Sequence, residues 1–189
     1  MAEDFRNARY WAREMMERAI RPGDRVIDAT MGNGHDTKWL CELVGETGKV
    51  YAFDVQKEAL DNTRARLTQA GLENRAELLL CGHQHMAERV PEQVDAVLFN
   101  LGWLPGVEHA VTTRVETTLA AVNAALTLMK PEALMTVCIY PGHEEGARER
   151  DALLAWASKL DPTRYDVMLR QYLNQPNCPP LMLAVRKRP

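Results

Sequence analysis

At 189 residues, with 46% hydrophobic and 26% charged side chains, the chain has the size and balance of one globular domain with a substantial core. A net charge of −3 argues against nucleic-acid binding by bulk electrostatics, though not against a local basic face. No apolar run approaches the roughly 20 residues of a membrane span, no secretory signal is visible, and the four widely spaced cysteines form no C-x-x-C pair, so no metal site, no membrane and a cytoplasmic location are expected.

In chain order, residues 3–20 read as an amphipathic helix, with Phe5, Ala8, Ala12, Met15 and Ala19 on one face. Arg6, Arg9 and Arg13 recur on it at helical spacing, and Glu14 and Glu17 interleave; a solvated face is favoured there over an RNA patch. Arg21-Pro22-Gly23-Asp24 breaks the helix, and Val26-Ile27-Asp28 forms the first strand. Gly32 and Gly34 then permit a tight turn, and Asn33, His35, Asp36 and Thr37 can open a helix running to Gly45. Strand, glycine turn and helix N-terminus are the parts that hold a nucleotide-like ligand at the carboxyl end of a parallel sheet. The second strand, Lys49 to Asp54, ends in an acid twenty residues beyond Gly34, placed to accept hydrogen bonds from ribose hydroxyls.

Residues 57–70 are helical in pattern; Glu77 to Gly82 and Val94 to Asn100 read as strands three and four. Val115, Leu119, Val122, Leu126 and Met129 trace one face of a long helix. Leu134 to Tyr140 is strand five, and a helix follows through about Leu160. The runs Tyr165 to Leu173 and Leu181 to Lys187 are joined by too short a loop for a helical crossover, so they pair antiparallel. The pattern predicts an α/β fold, a mostly parallel sheet with one antiparallel strand from a C-terminal hairpin, forming a single domain over 1–189 with an N-terminal helix (1–22) packed on it.

The detail of the turn selects the nucleotide. A dinucleotide fingerprint needs a third glycine where Thr37 stands, which opposes a nicotinamide-dependent oxidoreductase. Read as D-x-x-x-G-x-G from Asp28, the turn resembles motif I of the S-adenosylmethionine methyltransferases, with Thr30 in place of the first glycine. At the remaining strand ends lie Gly82-His83, Asn100 and Tyr140 to Glu144; Gln56 and His83 are placed to bracket an adenine ring. Asn100-Leu101-Gly102-Trp103 resembles the Asn/Asp-Pro-Pro-Tyr/Phe motif of enzymes that methylate amino nitrogens, with both prolines replaced.

Taken together, residues 28–37, Phe53 to Gln56, Gly82-His83, Asn100 to Gly106, Thr112-Thr113, Tyr140 to Gly146, Asn174-Gln175 and Pro179-Pro180 resemble one group of methyltransferases. These are the tRNA 5-(aminomethyl)-2-thiouridine methyltransferases, long labelled rRNA methylases. Departures are Trp103 where the group usually has Tyr, Val107-Glu108-His109 in place of Gly-Asp-Lys, and Pro131-Glu132-Ala133, which lacks the usual glycines. The resemblance implies a Rossmann-like class I fold and transfer of a methyl group from S-adenosylmethionine to the aminomethyl nitrogen of the wobble uridine in a tRNA anticodon stem-loop.

It also implies a cofactor set of Asp28, Thr30, Gly32, Asn33, Gly34, His35, Asp36, Asp54, Gln56, Gly82, His83 and Asn100. The implied substrate set is Trp103, Leu104, Pro105, Thr112, Thr113, Tyr140 and His143, and the catalytic set is Asn100, Trp103, His143 and Glu144, with Tyr140 as a third proton-relay candidate. The alternatives are a methyltransferase acting on rRNA or a small-molecule amine, the oxidoreductase, and a non-catalytic cofactor-binding module. A compact domain with little room for an added RNA-binding module suggests a homodimer.

Overall fold

The computed structural model describes residues 6–102 and 113–189. Its elements in chain order are α1 (Ala8–Ala19), β1 (Arg25–Asp28), α2 (His35–Val44), β2 (Lys49–Asp54), α3 (Lys57–Ala70), β3 (Ala76–Leu80), α4 (Met86–Arg89), β4 (Val94–Asn100), α5 (Val115–Leu128), β5 (Met129–Ile139), α6 (Glu144–Ala157), β6 (Tyr165–Arg170) and β7 (Leu181–Lys187). One sheet runs in the order β3-β2-β1-β4-β5-β7-β6. β7 is antiparallel to both neighbours and every other pairing is parallel. This is the predicted mostly parallel sheet with one antiparallel strand.

Alternation along the strands supplies two apolar faces. Val26, Val50, Ala96, Leu98, Leu134 and Cys138 pack beneath Trp11 and Met16 of α1, Leu40, Cys41 and Val44 of α2, and Leu67 of α3. Their neighbours Ile27, Phe53, Val97, Phe99, Met135 and Val137 meet Met86 of α4, Ala121, Val122 and Ala125 of α5, and Leu153 and Ala157 of α6. Helices on both faces require strands that are apolar all along. β1, β4 and the inner part of β5 accordingly carry almost no exposed residue.

Several boundaries differ from the sequence reading. α1 starts at Ala8 because the Asn7 side chain accepts from the Tyr10 N–H (2.9 Å) and caps it; Phe5 lies outside the described residues. Met129, expected on a helix face, is the first residue of β5 and pairs with Val94. The strand absorbs Pro131-Glu132 through a register shift, with Glu132 at φ 67°. β3 spans Ala76–Leu80 rather than 77–82, α6 stops at Ala157, and β6 stops at Arg170. The short turns at Glu73–Arg75 and His83–His85 and the one-turn α4 carried no periodicity long enough to read. Among the described residues, no helix is long and apolar enough to cross a membrane.

The arrangement places the ends of β1, β2, β3, β4 and β5 along one edge. Because β7 runs the other way and Ile139 pairs with Leu181, the β6–β7 loop (171–180) shares that edge.

Candidate active site

β1 ends in Asp28, which is wholly buried. One carboxylate oxygen accepts from the Thr37 hydroxyl (2.6 Å) and the other from the Thr30 N–H (3.2 Å), so Asp28 ties strand end, turn and helix start together. Burial, reinforced by the nearby Asp36 and Asp54 charges, pushes its pKa up to about 7. The turn itself needs its glycines: Gly32 and Gly34 sit at φ 49° and 76°. A Cβ on Gly34 would lie 2.7 Å from Thr63 Oγ1 and 2.8 Å from its Cα. α3 grips the turn from above. Thr63 Oγ1 donates to Gly32 O, Arg66 Nε to Asn33 O, and Asn62 Nδ2 to Asn33 Oδ1.

Arg66 also meets His35 Nε2 at 3.1 Å. Arginine can only donate, so that nitrogen is an acceptor and the proton of the neutral ring sits on Nδ1. Partial burial and the Arg66 charge lower the His35 pKa in agreement.

Asp54 closes β2 with Oδ2 accepting from Gly32 N–H (3.1 Å) and Oδ1 from Gln56 N–H (2.9 Å). Each oxygen keeps a further lone pair for a ligand hydroxyl. After β3, the buried His83 donates through Nδ1 to Ala29 O (3.1 Å) and stands edge-on to Phe99; burial keeps it neutral.

The end of β4 carries a connected polar chain. Arg9 and Arg13 of α1 both donate to Asp36 Oδ1, through Nη2 at 2.9 and 2.7 Å and through Nε at 3.3 and 3.1 Å. Asp36 Oδ2 receives a long bond from Asn100 Nδ2 (3.4 Å), and Asn100 Oδ1 receives the Tyr140 hydroxyl (2.8 Å). A carboxylate can only accept, so Asp36 fixes which way the Asn100 amide faces. Burial holds the Tyr140 phenol up at about 12, so it remains a donor at neutral pH. Thr30 Oγ1 completes the set by accepting the Asn100 N–H (2.8 Å).

These groups surround a cavity of about 700 Å³ lined by Thr30, Gly32, Asn33, His35, Asp36, Asp54, Gln56, Gly82, His83, Asn100, Thr113 and Tyr140 among the predicted residues. Asp28 and Gly34 do not line it and act by shaping the turn. Neither His143 nor Glu144 lines it. His143 caps α6, its Nδ1 accepting from Gly146 N–H, while Glu144 is exposed and pairs with Arg148. Trp103, Leu104, Pro105 and Thr112 lie outside the described residues.

The "Putative rRNA methylase" family matches residues 50–186, well over half of the chain. The chain belongs to that family. A relative in Arabidopsis thaliana, named tRNA (mnm(5)s(2)U34)-methyltransferase, chloroplastic, is 38% identical over 187 residues, covering 93% of this chain and 68% of the relative. A crystal structure from Clostridium thermocellum that carries the rRNA-methylase description superposes with a TM-score of 0.95 at 38% identity, covering 97% of this chain and 98% of that one. A Streptococcus mutans protein described as a methyltransferase, in complex with SAH, gives 0.89 at 36% identity, covering 97% and 99%. The methylase sheet thus has the Rossmann-like methyltransferase architecture read from the sequence.

Against that family background, Arg9 is one lining residue the sequence reading did not assign to the site. The solvated face expected for Arg9 and Arg13 is corrected: both side chains turn onto Asp36. Helical spacing showed that the two arginines share a face, but nothing local pointed to a carboxylate 27 residues away. Arg114 and Thr117, at the start of α5, also line the cavity without any motif to mark them.

Proposed function

We propose that this methylase transfers a methyl group from S-adenosylmethionine to the aminomethyl nitrogen of 5-aminomethyl-2-thiouridine at the tRNA wobble position, with the anticodon stem-loop as the substrate element. The observation that carries the reading is the 38% identity over 93% of the chain to a protein named for that modification.

The residues present fit the cofactor. Asp54 offers acceptor lone pairs suited to ribose hydroxyls, and Phe53, Val55, Met31 and Leu101 give an apolar lining. Gly82 and His83 border space for a flat base, and the volume suits a nucleoside of this size. Bound there, S-adenosylmethionine supplies an electrophilic methyl on a sulfonium. In this reading Asn100 positions the nucleophile: Tyr140 polarises its amide carbonyl, whose second lone pair accepts an amine N–H. Asp36, held by Arg9 and Arg13, keeps the amide from rotating.

In-line attack requires the neutral amine. At a lysine-like pKa near 10, that form would cost about 4 kcal/mol at pH 7, so desolvation in the cavity or a proton acceptor contributes to the rate. His143 and Glu144 face the start of α6 rather than the cavity, which supports positioning by Asn100 over a dedicated base at either residue. A homodimer belongs to the same proposal; sedimentation analysis tests it.

The decisive experiment incubates the protein with S-adenosylmethionine and tRNA bearing the unmethylated aminomethyl nucleoside, followed by nucleoside mass spectrometry. The expected result is a gain of one methyl on that nucleoside. Methylation confined to rRNA, or to neither RNA, would overturn the proposal.

A further inference from the structure

Two acids and two arginines line the cavity: Asp36, Asp54, Arg9 and Arg114. Asp36 is matched by Arg9 and Arg13, and Asp54 accepts from the Gly32 and Gln56 N–H groups. Arg114 stands apart from them. Its side chain is exposed, and among the described residues its guanidinium enters no hydrogen bond, ion pair or ring contact. Glu116 of α5 and Glu145 and Glu149 of α6 do not line the cavity. Glu145 accepts from the Val115 N–H, and Glu149 takes the Thr113 and Thr118 hydroxyls.

The backbone that carries this side chain is fixed. Arg114 O accepts from the Thr118 N–H (2.9 Å) and the Thr117 hydroxyl (3.0 Å). Just before it, Thr113 and Gly102 exchange two bonds: the Thr113 N–H donates to Gly102 O and the Gly102 N–H to Thr113 Oγ1, both at 3.2 Å. The Thr113 hydroxyl in turn donates to Glu149 Oε2 (2.8 Å). Gly102 lies two residues past Asn100 at the end of β4, so these bonds tether Arg114 to the Asn100 side of the cavity. Asp54, at the end of β2, is two strand spacings away, about 10 Å.

From this placement we infer that Arg114 receives a phosphate of the target nucleotide, so that the site distinguishes a nucleotide within an RNA chain from a free nucleoside. The inference deepens the RNA-substrate reading above and rests on it. A guanidinium carries five N–H donors in a planar fork that matches two phosphate oxygens at once. In Arg9 and Arg13 those donors are committed to Asp36, whereas Arg114 can turn its own to a ligand without giving up an internal partner. A chain of net −3 offers an incoming phosphate little general attraction, so a cation on the Asn100 side supplies it locally. Because the backbone at Arg114 is already ordered, only side-chain torsions are lost when the contact forms.

Fluorescence anisotropy with a short labelled RNA stem-loop across a salt series tests the contact without requiring methyl transfer. Arg114→Ala, at an exposed position, is expected to weaken binding about ten-fold at low salt and to flatten log K against log salt by about 1. Arg114→Lys keeps the charge but not the fork, so the salt dependence should return while affinity recovers only in part. S-adenosylhomocysteine affinity by calorimetry should stay within about two-fold in both variants. Arg188→Ala, which removes a side chain paired with Asp166, should bind RNA like the wild type. Three results would each overturn the inference: affinity and salt slope unchanged in Arg114→Ala, an equal loss in Arg188→Ala, or a loss of about ten-fold in S-adenosylhomocysteine binding, which would assign Arg114 to the cofactor. Wild-type protein that binds no RNA would overturn it together with the RNA-substrate reading. Wild-type protein that binds the stem-loop without methylating the aminomethyl nucleoside would overturn the proposed reaction alone.

Discussion

Asp28 is a wholly buried carboxyl whose pKa of about 7 makes its charge a cost to the fold, and replacing it with Asn isolates that cost. Below about pH 3 both folded and unfolded chains hold the proton, so Asp28 contributes no pH dependence. Between its ordinary 3.8 and about 7 the folded form retains a proton that the unfolded chain has released. Stability therefore falls as pH rises through that window and is level above it. The gap corresponds to about 4 kcal/mol.

An Asn side chain can still accept from the Thr30 N–H and can donate to the Thr37 oxygen, at a cost of about 1 kcal/mol for the exchanged bond. Asp28→Asn should then be about 1 kcal/mol less stable than the parent below about pH 3 and about 3 kcal/mol more stable at pH 8, the two curves crossing near pH 4.5. Urea unfolding at half-unit pH intervals measures both curves, and taking the difference cancels the other titrating groups. A variant that keeps the parent's decline between pH 4 and 7, or is the less stable of the two at pH 8, would refute the assignment.

Tyr140→Phe removes the hydroxyl that bonds Asn100 Oδ1; kcat/KM for RNA should fall about ten-fold, equivalent to about 1.4 kcal/mol, with S-adenosylhomocysteine affinity within two-fold by calorimetry. Gly34→Ala puts a methyl against the Thr63 backbone at φ 76° and should cost about 3 kcal/mol in urea unfolding and abolish cofactor binding at micromolar concentrations. Glu149 is 2% exposed and accepts the Thr118 and Thr113 hydroxyls at 2.6 and 2.8 Å, while Thr113 also bonds Gly102 through its backbone and side chain. Glu149→Ala strands both hydroxyls and should cost about 2 kcal/mol in stability, measured by urea unfolding.

Strand and helix periodicities reach across many residues, so β1, β2, β4, α2, α3, the parallel sheet and its terminal hairpin are legible in the sequence. The glycine turn was legible too, because Gly32 and Gly34 at positive φ leave few other residues possible. What stayed hidden depends on contacts distant in sequence. The start of β5 was masked because Met129 continues the apolar spacing of α5, and only its pairing with Val94 makes it a strand. The convergence of Arg9 and Arg13 on Asp36 required knowing that α1 crosses the start of α2. His143 read as a reactive group from its neighbours in a motif, yet a histidine just before a helix with a glycine three residues on is also a cap, and that is its contact.

The position of β7 between β5 and β6 has a bearing on how the protein is made. While residues 140–180 leave the ribosome, β5 presents an open flank and β6 has no neighbour to join, its Val167, Met168 and Leu169 exposed even in the finished sheet. Seven residues then seal both strands at once by slotting between them. Premature termination before Leu181 would therefore strip an interior strand rather than trim a margin, and nascent chains halted there are the form most exposed to chaperones and proteases.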